Sequence, residues 1–275
     1  MAGTALPATS ERTYGTVFRR WVADARDALT SIFFPAGCRI CDSFLVRASR
    51  VPICDECLSS FAAPPYPKCE VCGQPLPSLA AVVETVVCPA CQEKTYAFRR
   101  ARSYGMYEGA LARAILMLKF EEMQPLGGWF GARLAEIVAQ EGEAMAADVV
   151  VPVPLHRDRQ KERGYNQAAL ISKPLARKLR LPHKAVLLMR TRPRPDKQVL
   201  SLEERWASVR GAFATRPGSQ VDKLRVLLVD DVLTTGATLD ACSRALLESG
   251  AKSVVGLTIA RAAKNLVASG RKSSE

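Results

Sequence analysis

The chain is short of several things that would point to common functions. Histidine occurs twice in 275 residues, as His156 and His183, and neither lies near the cysteine-rich stretch. An imidazole-held catalytic metal with an open coordination position is therefore not expected there. No apolar run reaches the roughly 20 residues of a membrane-crossing helix, because Arg, Lys, Glu or Pro interrupts each one. The first residues carry Glu11, Asp24 and Asp27 among arginines, with no basic start, apolar run and small-residue cleavage site in succession. Export and membrane insertion are not expected, and a cytoplasmic setting is. Aromatic residues make up only 7% of the chain, and no RNA- or DNA-binding signature accompanies the positive charge.

Cysteine, by contrast, is plentiful and ordered. Eight of the nine cysteines form four Cys-x-x-Cys pairs: Cys38/Cys41, Cys54/Cys57, Cys69/Cys72 and Cys88/Cys91, separated by 12, 11 and 15 residues. Each pair can turn two thiolates toward one ion, and four such ligands complete a tetrahedral zinc site. Eight thiolates suffice for two structural zincs. Sequential pairing is the expectation, with interleaved pairing and iron–sulfur ligation as alternatives. Gly73, directly after Cys72, suits a tight metal knuckle. The ninth, Cys242, reads as a small buried apolar residue. The segment has little else to fold around, so metal must hold it together.

The net charge of +12 is unevenly placed: residues 1–147 hold 15 basic and 15 acidic side chains, and residues 148–275 hold 24 and 12. The C-terminal half should attract polyanions, either nucleic acid or a pyrophosphorylated small molecule. Composition divides the chain into an unstructured start with a short amphipathic helix (1–34, the helix over 17–34), a Cys-rich module (35–95), an α/β domain (96–265) and a basic tail (266–275). Within the α/β part, apolar runs at Val149–Val153, Val186–Met189, Arg225–Val229 and Ser253–Ile259 predict strands. Helical periodicity over Gly109–Phe120, Pro125–Ala139, Asn166–Leu179 and Thr238–Ser249 alternates with them, which predicts a parallel sheet.

The most informative segment is Arg225–Leu239, RVLLVDDVLTTGATL. An apolar strand ends in Asp230 and Asp231, and a Thr/Gly-rich turn leads into a helix. No Lys follows that turn's glycine and no spaced glycines are present, so it is neither a P-loop nor a dinucleotide fingerprint. Open α/β sheets take ligands at this edge. Hydroxyls of Thr234, Thr235 and Thr238, close backbone approach at Gly236 and Ala237, and the unpaired first amides of the helix suit a phosphate monoester. Two carboxylates beside such a pocket should face hydroxyls or a cation, as a ribose diol with nearby Mg2+ provides. Arg157, Arg159, Lys161 and Arg163 follow the Val149–Val153 strand within seven residues and could serve a second phosphate group.

These motifs carry a resemblance. Val226–Thr238 resembles the 5-phosphoribosyl 1-pyrophosphate (PRPP) motif of type I phosphoribosyltransferases. With Val151–Ala168 (VPVPLHRDRQKERGYNQA), Leu202–Phe213 (LEERWASVRGAF) and the Cys pairs, the chain from about Cys38 to Arg261 is similar to the ComF/GntX family. The resemblance implies a phosphoribosyltransferase-like α/β sheet joined to a double zinc ribbon. It implies that Asp230 and Asp231 contact the ribose hydroxyls with Mg2+ close by, and that Thr234–Thr238 hold the 5-phosphate. Leu155, His156 and Arg157 would form the pyrophosphate-side loop, with Arg163, Tyr165, Asn166 and Gln167 around the same cleft. Arg190–Arg205 resembles the loop that covers PRPP, and Arg192 and Lys197 are its catalytic candidates beside Gln198 and Arg205. Pro193–Arg194–Pro195 depart from relatives that carry a Thr in this loop.

Two functions follow from the resemblance. One is Mg2+-dependent phosphoribosyl transfer with pyrophosphate release to an unread acceptor. The other is a non-catalytic or PRPP-responsive role in handling single-stranded DNA during natural competence, with Trp206 or Tyr165 available for stacking and single-stranded DNA or a DNA-processing protein as partner. The ribbon could also dock a partner or a second copy, giving a homodimer.

Overall fold

The computed structural model describes residues 37–45, 49–61, 67–76, 86–193 and 201–262. The helix expected over 17–34, the tail expected over 266–275, and Lys197 and Gln198 lie outside them. The chain divides into two compact units, one ending at Ser59 and the other beginning at Ser60.

The first unit contains a knuckle around Cys38 and Cys41, closed by an antiparallel bridge between Gly37 and Phe44, and the short helix α1 (Asp55–Ser59). The second unit opens on the same plan: Lys68 bridges Pro75 around Cys69 and Cys72, and α2 (Pro89–Glu93) follows Cys88. The remaining elements are β1 (Arg100–Met106), α3 (Gly109–Phe120), α4 (Pro125–Glu141), β2 (Val149–Pro152), α5 (Arg157–Arg163), α6 (Gln167–Leu179), β3 (Leu188–Arg190), α7 (Leu202–Ala207), β4 (Phe213–Thr215), β5 (Arg225–Leu233), α8 (Ala237–Glu248) and β6 (Ser253–Arg261).

Four strands form one parallel sheet in the order β1-β6-β5-β2. Val149–Val151, Val226–Val229 and Val254–Leu257 are buried throughout, as strands covered on both faces must be. On one face Leu239, Cys242, Ala245 and Leu246 of α8 pack with Val149, Val151, Val226, Leu228 and Ala101. Cys242 is buried in this cluster, where desolvation pushes its thiol well up, in keeping with an apolar role. Helix α6 lies against β2 and β5 and packs on α4. β5 thus sits between β6 and β2, with its C-terminal end at the point where the chain leaves in two directions.

The strand expected at Val186–Met189 forms at Leu188–Arg190 and lies outside the parallel sheet, paired antiparallel with β4. The open edge of β2 is taken instead by a single parallel bridge from His183 to Val150, with the Val150 amide donating to the Pro182 carbonyl at 2.9 Å. Val186, outside the sheet, is left 64% exposed.

Glycines in helix α4 have a packing role. A Cβ on Gly131 would stand 2.8 Å from the Ile171 carbonyl oxygen and 2.8 Å from Pro174 Cγ, so α4 and α6 meet backbone to backbone there. Gly131→Ala should raise helix propensity yet destabilise the protein by about 1–3 kcal/mol, because overpacking a rigid crossing outweighs the propensity gain. Urea unfolding of the two proteins checks this, the midpoint falling in the variant.

Candidate functional site

The end of β5 and the start of α8 are joined by the short Thr/Gly turn over Thr234–Gly236. Gly236 takes a left-handed conformation (φ 84°) as the N-cap of α8 and, lacking a side chain, leaves the amides of Thr238 and Leu239 uncapped. Those amides and the positive end of the helix dipole are therefore available to an anion. Thr235 Oγ1 accepts from the Ala237 amide at 3.3 Å, which holds the turn. Tyr96 closes the other side: its hydroxyl donates to the Thr235 carbonyl at 3.1 Å, and its ring occupies the space a Gly236 Cβ would need, at 2.8 Å. Any residue other than glycine at 236 meets both a strained φ and this ring.

Asp230 and Asp231 are adjacent on a strand, so their side chains turn to opposite faces. Asp230 is in phase with Val226 and Leu228, which pack against α8. Its carboxylate accepts from the Asp231 amide at 2.8 Å. Asp231, 6% exposed, is in phase with Leu227 and Val229. It is engaged by Lys119 Nζ at 2.8 Å and accepts from Gln167 Nε2 at 2.9 Å. The amide oxygen of Gln167, Oε1, is buried without a partner among the described residues. An amide oxygen beside a carboxylate can accept from a hydroxyl or face a cation. Lys119 did not emerge from the sequence as a site residue. It stands in the last turn of an apolar helix, and only folding brings it to β5.

Residues after β2 gather at the same edge, partly in structural roles. Asn166 caps α6, its Oδ1 accepting from the Ala168 amide at 2.9 Å, while its Nδ2 donates to the Val153 carbonyl at 3.0 Å. Tyr165 donates to the Leu118 carbonyl at 2.7 Å, which ties the turn before α6 to the helix carrying Lys119. Arg163 lies over the exposed Phe120 ring, 4.9 Å from its centroid. His156 is the N-cap residue of α5, with its Nδ1 3.1 Å from the Asp158 carboxylate, and Leu155 precedes it half-buried. Arg157, Arg159 and Lys161 are exposed. Arg192, also exposed, donates to the Arg210 carbonyl.

The cysteines gather in sequential pairs: Cys38, Cys41, Cys54 and Cys57 in one cluster, Cys69, Cys72, Cys88 and Cys91 in the other, with all four sulfurs of each within 4.8 Å of one another. The Cys41–Cys54 and Cys72–Cys88 sulfur separations are 3.6 and 3.7 Å. Four thiolates about 2.3 Å from a tetrahedral zinc stand about 3.8 Å apart, so both clusters are sized for such an ion. Backbone amides already point at sulfur, from Cys54 to Cys38 at 3.4 Å and from Cys88 to Cys69 at 3.3 Å. Gly73 takes a left-handed φ of 67°, and the equivalent position after Cys41 is filled by Asp42 at φ 61°. Hydrogen bonds from Cys72 and Cys91 hold the Cys69 thiol well below its ordinary range, while the same contacts push Cys91 up. A divalent cation would remove that competition by ionising all four.

The second cluster is built into the edge of the sheet. The Ala101 amide of β1 donates to the Val71 carbonyl at 2.7 Å, extending the ladder onto the knuckle. Arg261, 1% exposed at the end of β6, donates to Gln74 Oε1 at 3.0 Å and reaches Cys72 Sγ at 3.6 Å. Arg102, 2% exposed, donates to Glu141 Oε1 at 2.6 Å and to the Glu70 carbonyl at 3.1 Å. Lys68 and Arg100 also pair with Glu141, at 3.0 and 2.9 Å. Burial alone would raise the Glu141 carboxyl, but hydrogen bonds from Arg102, Lys68 and Arg100 bring it down to about 2. None of these charged residues was singled out in the sequence, where they are scattered over almost two hundred positions.

Comparison with known proteins adds the following. The family model for the phosphoribosyl transferase domain matches residues 166–269. Competence protein F of Haemophilus influenzae is 28% identical over 238 residues, 84% of this chain and 99% of that protein. DNA utilization protein YhgH of Salmonella typhi is 32% identical over 196 residues, 68% of this chain and 80% of that protein. Competence protein ComFC of Bacillus subtilis is 27% identical over 240 residues, 82% of this chain and 94% of that protein.

Two expectations follow. Glu141 has a depressed carboxyl in the folded protein, so its contribution to stability is complete above the ordinary value of 4.5 and is lost as pH falls toward about 2. Glu141→Gln should cost about 3 kcal/mol at neutral pH by removing the charge that Arg102, Lys68 and Arg100 share. That difference should shrink below pH 4.5 in urea titrations run at successive pH values. The second concerns the clusters: Cys69→Ser should lower the main calorimetric transition and remove one metal equivalent. Cys41→Ser, in the other compact unit, should remove one metal equivalent with that transition unchanged.

Proposed function

The chain belongs to the ComF competence-protein family, with a phosphoribosyltransferase-like domain and paired four-cysteine clusters, and from that membership we propose that it is a PRPP-responsive protein that handles single-stranded DNA during competence. The observation that carries the reading is that relatives matched over most of their length are named for competence and DNA utilization, not for a transfer reaction. The excess of basic residues in the C-terminal half supplies the attraction to a polyanion. Zinc is the ion the clusters suit, and its contribution is structural, since four thiolates leave no open position.

In this reading the 5-phosphate lies on the open amides of α8 and the hydroxyls of Thr234, Thr235 and Thr238. Asp230 takes the ribose diol with Mg2+ beside it, the metal neutralising charge between carboxylate and pyrophosphate. Leu155, His156, Arg157 and Arg163 border the pyrophosphate end. A diol that also draws on Asp231 must compete with Lys119 and Gln167. The unpartnered Gln167 Oε1 is a ready acceptor for one of its hydroxyls. Because Lys119 belongs to α3 and Gln167 to α6, ligand binding is felt by both helices, which is how a bound sugar phosphate could bias a DNA-binding surface. The transferase reading uses the same residues and differs in one measurable thing, pyrophosphate release.

Calorimetric titration of the metal-loaded full chain with PRPP, with and without Mg2+, should give saturable Mg2+-dependent binding that Asp230→Asn weakens about 10- to 100-fold. A single-stranded oligonucleotide should bind with an affinity that falls steeply as salt rises and changes when PRPP saturates. Turnover of PRPP to pyrophosphate with a base or amine would put the transferase reading in its place. Absence of salt-sensitive strand binding by folded protein would remove the DNA-handling part.

A further inference from the structure

A second cleft lies beside the phosphate turn, on its carbonyl side. It has a volume of about 820 Å3, and its walls come from α2 and the segment after it, from α7, and from the chain flanking β3 and β4. Thr235 is the one residue it shares with the phosphate turn, and Tyr96 stands between the two. Trp206 forms one wall, 6.0 Å from Tyr96 between ring centroids and tilted by 40° to it. The ammonium of Lys94 lies over the Trp206 face, 2.9 Å from the ring centroid. Arg192 and Arg210 line the same space, and the Arg210 side chain is exposed.

Aromatic faces backed by three cations select for a ligand that is planar and negatively charged. Tyr96 is fixed by its hydrogen bond to Thr235 and by stacking on Phe98 at 4.7 Å, so that wall is preorganised. The Trp206 face is covered by an ammonium on a flexible four-carbon stem, which an incoming base can displace and which then remains to pair with phosphate. Guanidinium groups at the rim provide paired donors for phosphate oxygens. The carboxylates of Glu93 and Glu203 in the same lining accept from base amino groups and disfavour a ligand that is only an anion.

We propose that this cleft is a nucleotide site, with the base on Trp206 and the phosphate on Arg192 and Arg210, distinct from the sugar-phosphate turn. The proposal does not depend on PRPP binding, which uses the other side of the turn. Its two sources of nucleotide are a free mononucleotide and the bases of a single strand.

The test is a fluorescence titration of the metal-loaded full chain with 2′-deoxyadenosine 5′-monophosphate and, separately, with a short oligodeoxyadenylate. Trp206→Leu, Trp206→Phe and Arg210→Ala are compared with the unaltered protein, and ribose 5-phosphate serves as the base-free control. Saturable binding of either nucleotide probe, weakened about tenfold or more by Trp206→Leu, largely retained in Trp206→Phe and reduced several-fold by Arg210→Ala, supports the site. Binding of the mononucleotide assigns the free ligand, and binding of the oligonucleotide alone assigns the strand. Equal affinity in the Trp206→Leu protein, no binding of either probe at millimolar concentration, or equal competition by ribose 5-phosphate overturns it. Circular dichroism and PRPP titration of each variant separate loss of the cleft from loss of the fold or of the sugar-phosphate site.

Discussion

Burial of Val226–Val229 between β6 and β2 is the constraint on which the rest depends. Four consecutive apolar residues can be satisfied only where both faces of a strand are covered, so β5 must occupy the middle of the sheet. That places its C-terminal end where the connections to β6 and from β2 diverge, and it brings the first turn of α8 over the open edge. The Thr/Gly turn between them is a consequence of this packing. Its uncapped amides have no partner within the helix, and the left-handed Gly236 lets Tyr96 press against the turn from behind.

The same strand geometry separates the two carboxylates. Successive side chains on β5 alternate between a face built by α8 and a face where α6 and the end of α3 meet it. Asp231 becomes part of a buried polar group with Lys119 and Gln167, whereas Asp230 stays on the α8 side. The buried Asp231 carboxylate is held by partners from two helices, so any ligand that competes for it acts on more than one element. This is the physical link that the proposed responsiveness requires.

The second cysteine cluster is an extension of the sheet edge as much as a metal knuckle. β1 would otherwise present an unpaired row of backbone groups, and the Val71 segment covers part of it. Two fully buried arginines are unusual in a protein interior. Here Arg102 is answered by Glu141 and backbone carbonyls, and Arg261 by Gln74 and the sulfur of Cys72. The Arg261 guanidinium lowers the cost of ionising the Cys72 thiol beside it, so the sheet edge favours the thiolate form that a metal would require. From this cluster the chain passes through Lys94 and Tyr96 before entering β1, which is why aromatic and cationic groups collect beside the phosphate turn.

By itself the sequence determined whatever chemistry is local. Cys-x-x-Cys pairs specify knuckles able to hold a metal, and the apolar run, carboxylates and Thr/Gly turn of Arg225–Leu239 specify a strand, a tight turn and a helix. Apolar periodicity was enough to read the parallel sheet, because strand and helix repeats differ and each is written within a dozen residues. Only the tertiary structure decided which side chains meet across long separations. It put Lys119 and Gln167 on Asp231, Tyr96 on Thr235, and Arg102 and Arg261 around the second cluster. It also moved β3 out of the parallel sheet, through a competing bridge at Val150. These partners carry no spacing signal, since a contact between residues scores or more positions apart is fixed by how whole elements pack, and no local window of sequence contains both of its ends.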